Sequence, residues 1–195
     1  MAVVFGEFSL DRVVRAVEKV RERLHRATGA LEAAGVPYAV AGGNAVALWV
    51  SRVDESAVRN TQDVDLIVRR PDMDAVKRAL AQVGFIYRHV AGLEAFLDGP
   101  NAKARDAVHV IFAREKVRPE DVAEIPDVAQ SESAGAYRVL SIEALVQTKL
   151  IAFRDKDRTH LRDLIGVGIV DATWPRRYPP ELASRLQSLL DTPNG

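Results

Sequence analysis

Cysteine is absent from the 195 residues. That excludes disulfides, thiolate metal sites and a cysteine nucleophile, and it fits a reducing cytoplasm. An excess of either charge is absent as well: 27 Lys and Arg balance 27 Asp and Glu, so no strongly basic glove for nucleic acid is available. No apolar run approaches the length of a membrane span. The opening Met1-Ala2-Val3-Val4-Phe5-Gly6 is too short for a signal-peptide core and has no basic start. Repeats and low-complexity tracts are also missing. What remains is a chain with 48% hydrophobic residues, enough to bury one full core, expected to be cytoplasmic and without a membrane partner.

The order of elements follows from periodicity and punctuation. Val13, Val17, Val20, Leu24, Ala27, Leu31 and Ala34 recur at four- and three-residue spacing, which predicts a long first helix capped by Ser9 or Asp11 and ended by Gly35 and Pro37. Tyr38 to Ala41 reads as a buried strand and Asn44 to Val50 as a short helix. Ser51 to Thr61 is polar without periodicity and reads as a loop. After the strand that follows, Asp72 or Asp74 opens a helix closed by Gly84. Phe85 to Val90, Leu93 to Leu97 and Ala107 to Phe112 read as strands. Arg118 to Ser133 reads as mostly irregular, and Tyr137 to Leu140 as a short strand. Ser141 caps a helix carrying Lys149, Asp157 caps a further one, and Pro179-Pro180 opens the last. The expected fold class is α/β (α+β), a mixed sheet flanked by helices. Residues 1–140 would form the core with its N-terminal helix, and 141–195 a C-terminal helical extension.

The chemistry concentrates around Thr61-Gln62-Asp63-Val64-Asp65-Leu66. In an extended segment alternate side chains share a face, so Asp63 and Asp65 point one way while Val64 and Leu66 point the other. Two adjacent carboxylates repel each other, and a hard divalent cation removes that repulsion while leaving positions open for phosphate oxygens. Some 20 residues earlier stands Gly42-Gly43-Asn44, where uncovered backbone N–H groups at a helix start suit an anion. Arg59 and Thr61 stand just ahead of the carboxylates, within reach of phosphate. Lys149 falls in the apolar stripe of its helix with Leu145 and Val146, where an amine needs an anion or must reach past the stripe to water. Between Lys149 and Arg162 five basic residues stand against Asp155 and Asp157.

The Gly-Gly turn, the Thr-x-Asp-Val-Asp-Leu strand and the distant Lys-Leu-Ile-Ala-Phe-Arg-Asp-Lys-Asp-Arg stretch together resemble the DNA polymerase β-type nucleotidyltransferase superfamily. Within it the chain is most similar to small bacterial proteins grouped with AbiEii-type toxins of toxin–antitoxin systems. The resemblance covers roughly residues 36–166. It implies that Asp63 and Asp65 hold Mg²⁺ or Mn²⁺ on an NTP. It also implies that Gly42, Gly43, Asn44, Arg59 and Thr61 meet the nucleotide, and that Lys149 holds its triphosphate. Asp157, Arg158 and Asp163 match trailing elements, with Asp163 expected to orient Lys149 or a substrate group. One position departs: the superfamily's third carboxylate falls on Ala107-Val108-His109-Val110, where His109 stands instead, a base or a soft ligand but a poor partner for Mg²⁺.

The resemblance implies transfer of a nucleotidyl group from an NTP to an acceptor hydroxyl, RNA and particularly tRNA in toxin-type relatives, with an antitoxin as the protein partner such systems carry. Two rival readings stay open. One is transfer to a small, aminoglycoside-like molecule. The other, prompted by His109, is a catalytically impaired nucleotide-binding module that acts through regulation or interaction.

Overall fold

The computed structural model describes residues 10–90, 92–103 and 106–192. Helix α1 (Leu10–Ala33) leads into strand β1 (Tyr38–Ala41), helix α2 (Gly42–Ser51), strand β2 (Val64–Val68) and helix α3 (Met73–Gln82). Strands β3 (Ile86–Val90), β4 (Leu93–Leu97), β5 (Ala107–Phe112), β6 (Ser131–Ala134) and β7 (Tyr137–Leu140) follow, and helices α4 (Ile142–Ala152), α5 (Asp155–Gly166) and α6 (Pro180–Asp191) close the chain. The strands form one sheet in the order β3-β4-β5-β2-β1-β7-β6. β2 runs parallel to β5 and β1 parallel to β7, while the other neighbours are antiparallel. The mixed α/β class read from the sequence is the one found.

β2 lies at the centre of the sheet, so Val64, Leu66, Ile67 and Val68 are all fully buried. Each such side chain contributes roughly 1.5–3 kcal/mol through burial, which fixes the register of the strand. A slip of one residue would turn Asp65 into the core. The carboxylates are therefore held in place by Val64 between them and by Leu66, Ile67 and Val68 beyond them.

Several boundaries differ from the sequence reading, among them three that bear on the sheet and the site. α2 starts at Gly42, two residues early, because the Gly-Gly turn is itself the first turn of the helix. Ser131–Ala134, expected to be irregular, forms β6: a polar segment becomes an edge strand because β7 offers it a complete antiparallel ladder. Asp157 sits in the first turn of α5, with its side chain accepting from the backbone N–H of Arg154, which occupies the cap. Of the two expected caps of α1, Asp11 lies in its first turn and Ser9 falls outside the described residues. The leading apolar residues of α1, Leu10, Val13, Val14 and Val17, are exposed, whereas Leu24, Ala27 and Leu31 enter the core. Among the described residues no helix is long and apolar enough to cross a membrane.

Candidate active site

Asp65 lies opposite Ala41 on one side and His109 on the other, because β1 and β5 both pair with β2 at that level. The last residue of β1 and the first of α2 thus meet the second carboxylate. Gly42 adopts φ +62°, and a Cβ there would collide with the Asp65 carboxylate. Only glycine permits both that backbone and that approach. A Cβ on Gly43 would fall 2.7 Å from Thr61 Oγ1. The two glycines let the start of α2 close directly over the carboxylate loop. The cap position of α2, Ala41, makes no side-chain hydrogen bond, so the first N–H groups of the helix are not capped by it.

Asp63, Asp65 and His109 each offer a ligand atom within 4.8 Å of the others. His109 Nδ1 is 3.6 Å from Asp65 Oδ1. The Thr61 hydroxyl donates to Asp63 Oδ1 at 2.6 Å, and the Asn44 amide donates to the Asp63 carbonyl at 2.8 Å. Burial pushes the Asp63 carboxyl up, but the Thr61 hydroxyl and the Lys156 charge outweigh it and hold the group below the usual carboxylate range. Two carboxylates and an imidazole suit a divalent cation, with oxygen donors for a hard ion and nitrogen favouring Mn²⁺ over Mg²⁺. The surroundings agree, for a cationic group already stands on this set: Lys156 Nζ lies 3.2 and 3.3 Å from the two oxygens of Asp63.

The other residues singled out in the sequence divide into those at the cluster and those beside it. Gly42, Gly43, Asn44 and Thr61 touch the carboxylate loop. Arg59 and Asp163 find each other: Arg59 Nε lies 2.9 Å from both Asp163 oxygens. Lys149 is buried and donates to Asp157 Oδ1 at 3.1 Å, so Asp157, not Asp163, orients it. Arg154 Nε approaches the other oxygen of Asp157 at 2.8 Å. Burial raises the Asp157 carboxyl and the charges of Lys149 and Arg154 pull it down further, leaving it net below its ordinary value. Arg158 pairs with Asp155 on its own helix. Asn44, Arg59 and Thr61 also line a cavity of about 630 Å³ together with Val20, Leu48 and Tyr137.

Three contributors carry no sequence signal of their own. Lys156 is one cation among several on its segment, and nothing in the spacing ties it to Asp63. Arg23, buried on α1, donates to the Gln62 carbonyl at 3.1 Å and to Asp98 at 3.2 Å, fixing the loop ahead of Asp63. His160 is buried on α5 with Nδ1 lacking a hydrogen-bond partner. Burial, then the charges of Lys149 and Lys156, push its pKa down to about 4, so the ring is neutral near pH 7.

No family model matches the sequence, and no curated protein matches it. Solved structures are similar in fold. The antibiotic-resistance factor ANT(2'')-Ia, in its solution structure, aligns with a TM-score of 0.56 at 14% identity over 90% of this chain and 91% of that one. An antigenic nucleotidyltransferase-like protein from Paracoccidioides brasiliensis aligns with a TM-score of 0.56 at 17% identity over 90% and 89%. At such identities the likeness is one of backbone. The chain shares the fold of these two structures, a mixed sheet flanked by helices, with Asp63, Asp65 and His109 gathered at the start of β2 and on β5.

Proposed function

We propose that the chain transfers a nucleotidyl group from an NTP to a hydroxyl of a small-molecule acceptor, with Mg²⁺ or Mn²⁺ held by Asp63 and Asp65. The observation that carries this reading is the convergence of Asp63, Asp65 and His109 within 4.8 Å, beside the uncapped start of α2. The bound cation supplies charge neutralisation at the phosphoryl oxygens. Gly42 and Gly43 bring backbone N–H groups to the phosphates, and Thr61, Asn44 and Arg23 keep Asp63 and its loop in place. With His109 completing the ligand set, the acceptor hydroxyl is acidified at the cation, and its proton passes to solvent as its oxygen bonds to the α-phosphorus and pyrophosphate departs.

Charge supports a small acceptor. RNA binding calls for a stripe of cations available to phosphates. Here Lys149, Arg154, Lys156 and Arg158 each face a carboxylate, as does Arg59, and the whole chain carries no net charge. Similarity in length and fold to an antibiotic-resistance factor points the same way. Both observations favour a small molecule over the RNA acceptor and the antitoxin partner that the narrower AbiEii-type resemblance implies. A nucleotide-binding regulatory module is the second reading, favoured by the imidazole in the third ligand position.

The experiment is transfer from α-labelled NTPs with Mg²⁺ or Mn²⁺, offered a panel of hydroxyl-bearing small molecules and, separately, RNA. Label on a small molecule is expected. Label on RNA alone would overturn the acceptor, and nucleotide binding without any transfer would leave the module reading standing.

A further inference from the structure

We infer that Lys156 is an exchangeable cation: it occupies Asp63 until a divalent ion displaces it, and then pairs with the phosphates of the incoming nucleotide. This rests on the nucleotidyltransferase reading of the site and adds to it a linkage between metal and nucleotide binding.

The geometry singles out Lys156. Its ammonium spans both oxygens of Asp63 at 3.2 and 3.3 Å, in the region where a cation must sit to reach that carboxylate. A magnesium ion bonds oxygen at about 2.1 Å, so ammonium and divalent ion would be near neighbours of like charge on one carboxylate and do not share it. The other basic groups nearby are committed. Lys149 is sealed against Asp157, both side chains almost fully buried, and Arg154 closes the same carboxylate. Lys156, by contrast with Lys149, keeps half of its side chain in solvent, and unlike the exposed Arg154 it pairs with the ligand carboxylate Asp63 itself. It sits in the first turn of α5 on a flexible four-carbon stem, so it can leave Asp63 without disturbing the core. Once displaced it needs an anion, and the polyphosphate arriving with the metal is the anion at hand. Thermodynamic reciprocity then requires each ligand to tighten the other.

The test measures Mn²⁺ affinity by calorimetry, with and without a non-hydrolysable ATP analogue, in wild type, Lys156→Met and Lys156→Gln. With the competing ammonium gone, both variants should bind Mn²⁺ alone about tenfold more tightly, the weight of one charge-assisted hydrogen bond. They should bind the analogue more weakly, so that the factor by which nucleotide tightens Mn²⁺ shrinks. Variants that tighten Mn²⁺ but keep the wild-type coupling factor would reduce Lys156 to a bystander charge and overturn the exchange. Asp65→Asn separates the two layers. If it abolishes Mn²⁺ binding while the Lys156 variants change nothing, only the exchange fails. If it leaves Mn²⁺ binding intact, or wild type binds none, the metal-site reading fails and the exchange with it.

Discussion

Asp65 and His109 face each other across the parallel pair β2 and β5, with Nδ1 and Oδ1 3.6 Å apart. The register places the imidazole where a third acidic ligand would complete a hard-oxygen site. His109→Asp should therefore strengthen Mg²⁺ binding and raise the ratio of Mg²⁺- to Mn²⁺-supported transfer, because carboxylate suits Mg²⁺ better than imidazole does. Metal titrations followed by transfer assays read both. A fall in Mg²⁺ affinity in the variant would show that His109 does not stand in the ligand position.

Among the described glycines, Gly42 is the least tolerant of a side chain. Alanine there adopts a left-handed backbone at about 1–2 kcal/mol, and its methyl group meets the Asp65 carboxylate itself. Gly42→Ala should lose metal binding together with stability. Gly43→Ala meets only the Thr61 side chain, without the backbone strain, and should lose mainly the Thr61 support of Asp63. Denaturation and Mn²⁺ titration of the pair check the order: if Gly43→Ala is the more damaging of the two, the close approach at Gly42 is not what shapes the site.

Lys149→Met tests a revision of the sequence reading. The position in an apolar stripe suggests an amine awaiting a ligand, but Asp157 already satisfies it in the interior. Removing one partner of a buried pair typically costs roughly 3–5 kcal/mol. The variant should unfold at markedly lower denaturant, and Asp157→Asn combined with it should recover part of the loss. An unchanged unfolding midpoint would mean that the pair contributes nothing to the α4–α5 packing.

What the sequence reveals and what it hides divide along sequence distance. β2 is legible because alternation around Asp63 and Asp65 is a local pattern, and Gly42-Gly43 because turns have their own residue chemistry. β6 is not, since Ser131-Glu132-Ser133 is polar and becomes a strand only through its pairing with β7. The partners of Lys149 and Lys156 are hidden for another reason. α4 stops at Phe153, which adopts φ +46° as its left-handed cap, and the reversal there decides which carboxylates the next helix presents. No periodicity encodes that angle. Arg23 is invisible because its target is a backbone carbonyl on a loop 39 positions away.

His160 predicts an acid limb of stability. Its folded pKa of about 4 lies below the ordinary 6.5, so the neutral ring's contribution is complete above pH 6.5 and is lost as pH falls toward 4. The loss is on the order of 3 kcal/mol. Thermal melts between pH 7 and 4 should show this slope in wild type and a flatter one in His160→Leu. Identical slopes would place the acid sensitivity elsewhere.

The most direct measurement is calorimetric titration of a non-hydrolysable NTP into wild type and Asp65→Asn, each with and without Mg²⁺ or Mn²⁺. The account predicts that the cation strengthens nucleotide binding in wild type and that Asp65→Asn removes the effect while the protein remains folded. Equal affinity with and without the cation, in wild type and variant alike, would contradict the assignment of Asp63, Asp65 and His109 as a metal-dependent nucleotide site.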